Sequence, residues 1–197
     1  MNTAALRAPA PATRTDSDIG GQLAFMIDNV ISDEASRAMI AVGEHFGYRN
    51  DAPGMRMNQA MHWMADEAPM AQIFKVIGPL LPQELHGKKL QPRLSQRIDM
   101  YKYRKGDVFN RHIDGIWPGY GGPTVDVTSR AGAALFFQHG FSLDSVMHMG
   151  TEVTSDAPKY VARIDVLYDP IRGQFCQSHT SSTVACATVE LVCDWQN

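Results

Sequence analysis

The stretch Tyr103-Arg-Lys-Gly106-Asp-Val-Phe-Asn-Arg-His112-Ile-Asp114-Gly115 is where the reading of this chain turns. His112 and Asp114 stand two apart, so on an extended backbone both side chains leave the same face. Val108 and Asn110 then share that face, while Phe109, Arg111 and Ile113 take the other. An imidazole and a carboxylate placed this way grip a divalent metal from one side. A third ligand completes the 2-His-1-carboxylate facial triad of non-haem Fe(II), which leaves coordination positions open for a chelating co-substrate and O₂. Taken alone, an H-x-D pair is most often a surface histidine beside a solvated aspartate. What lies downstream therefore decides its meaning.

Two further groups follow in order: His148-Met-Gly150-Thr-Glu-Val153, then Lys159-Tyr160-Val-Ala-Arg163. Tyr103, H-x-D-G at 112–115, H-x-G-x-x-V at 148–153 and a basic residue beyond give a chain that resembles the prolyl-4-hydroxylase-like branch of the Fe(II)/2-oxoglutarate oxygenases. The resemblance spans about residues 22–170. It implies that His112, Asp114 and His148 hold Fe(II), and that Lys159 or Arg163 anchors the far carboxylate of 2-oxoglutarate with help from the Tyr103 hydroxyl. It also implies a double-stranded β-helix (jelly-roll, cupin-like) core with N-terminal helices packed on it. O₂ is then the second co-substrate, and ascorbate the reductant that keeps the iron ferrous. Lys159 and Arg163 are four apart on one strand face, about 13 Å at ~3.3 Å per residue, too far for one 2-oxoglutarate to use both. Lys159 fits the prolyl-hydroxylase spacing, and Arg163 offers a bidentate fork. His139, which follows a strand, is a rival third ligand without the G-x-x-V that follows His148.

Outward from this centre, GAALFFQ at 132–138 and YVARIDVLY at 160–168 are the clearest strands. Apolar residues at 23–31 suggest an earlier one. Ser32 followed by Asp33 and Glu34 is a helix start, with Ala35, Met39, Val42 and Phe46 at helical spacing until Gly47. A second helix is expected over 65–78, with Met70, Ile73, Phe74 and Ile77 on one stripe and Pro79 at its end. The fold class expected is α+β with a mostly antiparallel core. Residues 1–21, rich in Ala, Pro and Thr, read as a flexible arm, 22–170 as the oxygenase-like domain, and 171–197 as a tail of unknown role.

One interval departs from the family pattern. Asp114 and His148 are 34 residues apart, and residues 116–131 carry two prolines and three glycines, so the strands expected there do not fit. The core is expected to be incomplete, with ladder edges bared. The alternation of Val189, Leu191 and Cys193 suggests an extra strand in the tail, patching an edge.

Composition sets the remaining bounds. The chain has 197 residues, 44% hydrophobic and 20% charged, with a net charge of −3, so a disordered chain is excluded and no basic excess marks a nucleic-acid binder. No apolar run reaches the ~18 residues of a membrane span. Three cysteines, Cys176, Cys186 and Cys193, form neither a disulfide framework nor a CxxC metal pair, and a cytoplasmic setting is the default. The expectation is a dioxygenase that hydroxylates a C–H bond of a peptide, amino acid or small molecule. The alternatives are a catalytically inactive, shortened relative acting as a binding or regulatory protein, and a zinc site built on the same three residues. The sequence leaves substrate and oligomeric state open.

Overall fold

In a computed structural model, residues 8–50, 58–112, 126–128, 130–139, 145–170 and 184–193 are described. The strands are β1 (Thr13–Asp16), β2 (Ala24–Asp28), β3 (Gln59–Met64), β4 (Glu84–Leu85), β5 (Lys88–Tyr103), β6 (Phe109–His112), β7 (Ala134–Gln138), β8 (His148–Gly150), β9 (Lys159–Pro170) and β10 (Val184–Val192). The helices are α1 (Asp33–Phe46) and α2 (Glu67–Ile77). One curled antiparallel sheet runs in the order β1-β2-β7-β10-β9-β5-β3, with β4 hanging on β5, and among the described residues β6 pairs only with β8. The fold is mixed and sheet-dominated, as expected in class.

Local chemistry explains the helices. Ser32 is extended (φ −75°, ψ 163°), and its hydroxyl accepts the Ala35 N–H at 3.1 Å, satisfying one of the donors a helix start leaves over. Gly47 ends α1 at φ 83°, a region other residues enter at a cost. α2 runs out at Gly78-Pro79 through a short 3₁₀ turn. Both helices bury one stripe, Ala35 and Met39 on α1 and Met70, Ile73 and Ile77 on α2, against one face of the sheet. That face is built by alternation: Ile98 and Met100 on β5, Ile164 and Val166 on β9, Val189 and Leu191 on β10, Phe136 on β7, and Phe25 on β2. Phe25 and Phe136 stack at 4.4 Å between centroids.

The intervening residues of the same strands make the opposite face. Tyr101, Tyr103 and Val161 cluster there with Val153, and Phe109 of β6 packs on them. The β6–β8 ribbon therefore lies over the face that the helices leave open.

Three sequence expectations change. Residues 13–16 do not belong to a flexible arm: β1 pairs with β2 from Thr13↔Asp28 to Asp16↔Phe25. Arg14 lies 3.7 Å over the Phe25 ring and donates to the Leu80 carbonyl at 2.8 Å. Cation–π and main-chain contacts, invisible to composition, hold the segment down. Next, the tail strand does not patch an edge. β10 is a central strand, paired with β9 on one side and β7 on the other, and Ala187, Val189 and Leu191 are at most 1% exposed. Finally, while β2 falls within the strand expected over 23–31, β3 adds an unexpected strand between the two helices.

The end of α1 is tied to the sheet by charge. Lys102 pairs with Glu44 at 2.6 Å, the Tyr160 hydroxyl donates to the same carboxylate oxygen at 2.6 Å, and the ammonium lies 5.6 Å from the rings of Tyr48 and Tyr160. Burial raises the Glu44 pKa, but the bonds from Lys102 and Tyr160 and the Lys102 charge outweigh it, so the net shift is downward. A carboxyl with a lowered folded pKa contributes stability above its ordinary value of 4.5 and loses it as pH falls through the folded value.

Two measurements follow. Leu191→Ala should cost about 2–5 kcal/mol in urea titration, the range for a fully buried leucine, as befits a central strand rather than a frayed tail. Glu44→Gln should be less stable than the parent at pH 7, with the gap closing below pH 4.5.

Candidate metal centre

His112 and His148 lie directly opposite each other across the β6–β8 ladder, as do Phe109 and Gly150. Their ring centroids are 4.1 Å apart at 58°. The close approach of the strands depends on Gly150, where an added Cβ would sit 3.3 Å from the Phe109 Cβ. Aromatic rings pack on both sides: Phe109 stacks on His112 at 3.7 Å and Phe137 of β7 meets His148 at 4.3 Å.

The ring orientation is the more telling feature. His112 Nδ1 lies 2.7 Å from the Asn110 carbonyl, and His148 Nδ1 lies 3.1 Å from the Val146 carbonyl. A carbonyl oxygen only accepts, so each Nδ1 donates, and in the neutral ring the lone pair is then on Nε2. Both Nε2 atoms are shielded from solvent. Two rings on facing strands, when neutral, are thus held in the tautomer that ligation through Nε2 requires, each by a backbone carbonyl two residues before it. Outer contacts of this kind orient metal-ligating histidines and raise their basicity.

Asp114, the expected carboxylate ligand, lies outside the described residues. Among the described residues no three His, Cys, Asp or Glu side chains converge closely enough to hold a metal. His139, the rival ligand, lies beside the same Asp165 carboxylate oxygen that approaches Arg163. Its Nε2 is 3.8 Å from Asp165 Oδ1 on β9.

The two candidate cations share a face of β9 but meet different company. Lys159 stands directly opposite Tyr103 in the β5–β9 register, next to the Tyr101–Tyr103–Val153–Val161 cluster on which the β6–β8 ribbon rests. Tyr103 is buried, 7% exposed. Arg163 has Asp99 as its register partner on β5 and Glu190 as its partner on β10, while Asp165 Oδ1 is 3.8 Å from its Nε. Direct cross-strand partners share a sheet face, so Asp99 and Glu190 flank Arg163 on the two neighbouring strands, although the Asp99 carboxylate itself pairs with Arg97 at 2.9 Å.

Sequence reasoning missed both supports: the backbone carbonyls that set the histidine tautomers and the acids around Arg163. Neither leaves a mark in spacing, because Asp99 and Glu190 reach Arg163 only through strand pairing.

No family model, curated protein or solved structure matches this chain significantly. No described helix is long and apolar enough to cross a membrane.

As metal ligands, both rings would be needed for tight binding. His112→Ala and His148→Ala are each expected to weaken Co(II) or Fe(II) binding by at least about 100-fold in anaerobic calorimetry, with the far-ultraviolet dichroism unchanged.

Proposed function

We propose that this chain is an Fe(II)- and 2-oxoglutarate-dependent dioxygenase that hydroxylates a C–H bond of a peptide, amino acid or small molecule. The observation that carries the reading is the facing pair His112 and His148, both Nδ1 atoms on backbone carbonyls and both Nε2 atoms buried. In this reading His112, His148 and Asp114 would hold the iron. When bound, Fe(II) with 2-oxoglutarate and O₂ supplies the oxidising power for the hydroxylation, 2-oxoglutarate leaving as succinate and CO₂; ascorbate serves to keep the iron reduced.

The chain's own residues account for the rest. Lys159 and the Tyr103 hydroxyl bind the far carboxylate of 2-oxoglutarate, because a carboxylate out of water needs a charge partner and hydrogen bonds. Arg163 is the poorer anchor, since the Asp165 carboxylate already lies 3.8 Å from its Nε and Glu190 stands opposite it on β10. Phe109 and Phe137 wall the histidines and exclude water, which strengthens electrostatic interactions within the site.

The core is read as a reduced jelly roll. The interval between Asp114 and His148 is too short for the usual strands, yet the edges of β7 and β9 that would be left bare are both covered by β10. A covered ladder favours a rebuilt, working core over the inactive shortened relative.

Adding Fe(II) and 2-oxoglutarate together without oxygen should produce a weak visible charge-transfer band, and absence of the band from folded, iron-loaded protein would sink the proposal. Reconstitution of 2-oxoglutarate turnover by Fe(II) and not by Zn²⁺ separates it from a zinc site. Lys159→Ala should raise the Michaelis constant for 2-oxoglutarate about tenfold or more, the loss of a charge-assisted contact. Arg163→Ala should leave that constant within about threefold while lowering thermal stability. The reverse ranking would assign the anchor to Arg163.

A further inference from the structure

β3 closes the eight-stranded sheet at the end remote from β1, so one of its edges faces away from β5. Hydrogen-bond parity identifies the groups along that edge. Ala60 exchanges both of its backbone bonds with Arg49 at 2.8 Å, outside the sheet, whereas the Ala65 N–H donates inward to the Gln96 carbonyl at 2.8 Å. Even positions of β3 therefore aim N–H and C=O outward, and odd positions aim theirs at β5. Arg49 caps the edge at Ala60. Among the described residues nothing takes the outward groups of His62 and Met64.

The side chains there are unusual for a bare edge. Met64 is 67% exposed, and neither proline nor lysine blunts the strand. On the helix side of the same strand an apolar groove opens, lined by Met39, Val42, Trp63, Pro69, Met70 and Ile73. Edge and groove meet at Trp63.

We propose that the chain forms a twofold dimer in which the β3 edges of two copies pair antiparallel about Trp63. Charge complementarity under that twofold selects a second copy as the occupant. Centring the pairing on Trp63 sets His62 of each copy opposite Met64 of the other, which makes four inter-chain N–H···O bonds from the outward groups. Ala60 and Asp66 are each three residues from the axis, so the same operation brings Arg49, bonded to Ala60, against Asp66 of the second copy. Arg49, Asp66 and Glu67 are all exposed. The second copy's chain leaves the edge at Asp66, where α2 begins, just where Arg49 takes the edge over. The two Trp63 rings form a close non-hydrogen-bonded pair at the axis and roof the two grooves, a cross-strand aromatic contact of the stabilising kind.

The proposal stands apart from the metal site, which lies on β6, β8 and β7. Light scattering and sedimentation of the full chain test it. The parent protein is expected at twice its 21.8 kDa chain mass. Arg49→Glu, which turns both end contacts into like-charge pairs, should raise the dimer dissociation constant about tenfold or more. The double change Arg49→Glu with Asp66→Arg should restore it. Asp66 makes no side-chain capping bond, so its replacement removes none from α2. Met64→Lys should weaken the dimer with the fold intact by circular dichroism. A folded parent that stays at 21.8 kDa at its highest soluble concentration overturns the proposal, as does a dimer indifferent to Arg49→Glu and Met64→Lys.

Discussion

The structure depends on a strand from the end of the chain lying in the middle of its sheet. β10 pairs in register with β9 along one side and with β7 along the other. Backbone N–H and C=O groups are obligatory hydrogen-bonding groups, and without this strand two ladders would be left open at the centre of the core. Its odd residues Ala187, Val189 and Leu191, with Cys193 just beyond its end, fill the helix-covered face, and its even residues Thr188 and Glu190 complete the other. A one-residue slip would exchange those faces and bury charge among phenylalanines. The Arg163–Glu190 partnership and the Thr188 hydroxyl donating to the Ile164 carbonyl at 3.2 Å both favour the observed register.

The same insertion shapes the electrostatics of the open face. Glu190 arrives on β10 and Asp99 on β5 as the register partners of Arg163. Lys159, four residues back, is the register partner of Tyr103. One strand therefore offers two cations of different character. Neighbours on other strands, rather than the cations themselves, set the different surroundings of the two.

The histidine pair shows a similar division of labour. Facing positions on two short strands bring the rings together, and the backbone carbonyls two residues earlier set their tautomers. Gly150 allows the strands to close at that point. The proposed chemistry draws on these three features at once, although each is a local property of the ladder.

Much of this was legible in the chain itself. Ser32, Asp33, Glu34 and Gly47 mark α1, Pro79 ends α2, and the alternation in 132–138 and 160–168 announces β7 and β9, because caps, proline and period-two burial act within a few residues. His112 and His148 stand out by motif for the same reason. The docking of residues 13–16, the placement of β10 between β7 and β9, and the acids around Arg163 come only with the tertiary structure. Each joins residues far apart in sequence through ladder bonds and a ring contact, and a linear pattern records which face a residue takes but not which strand will lie beside it.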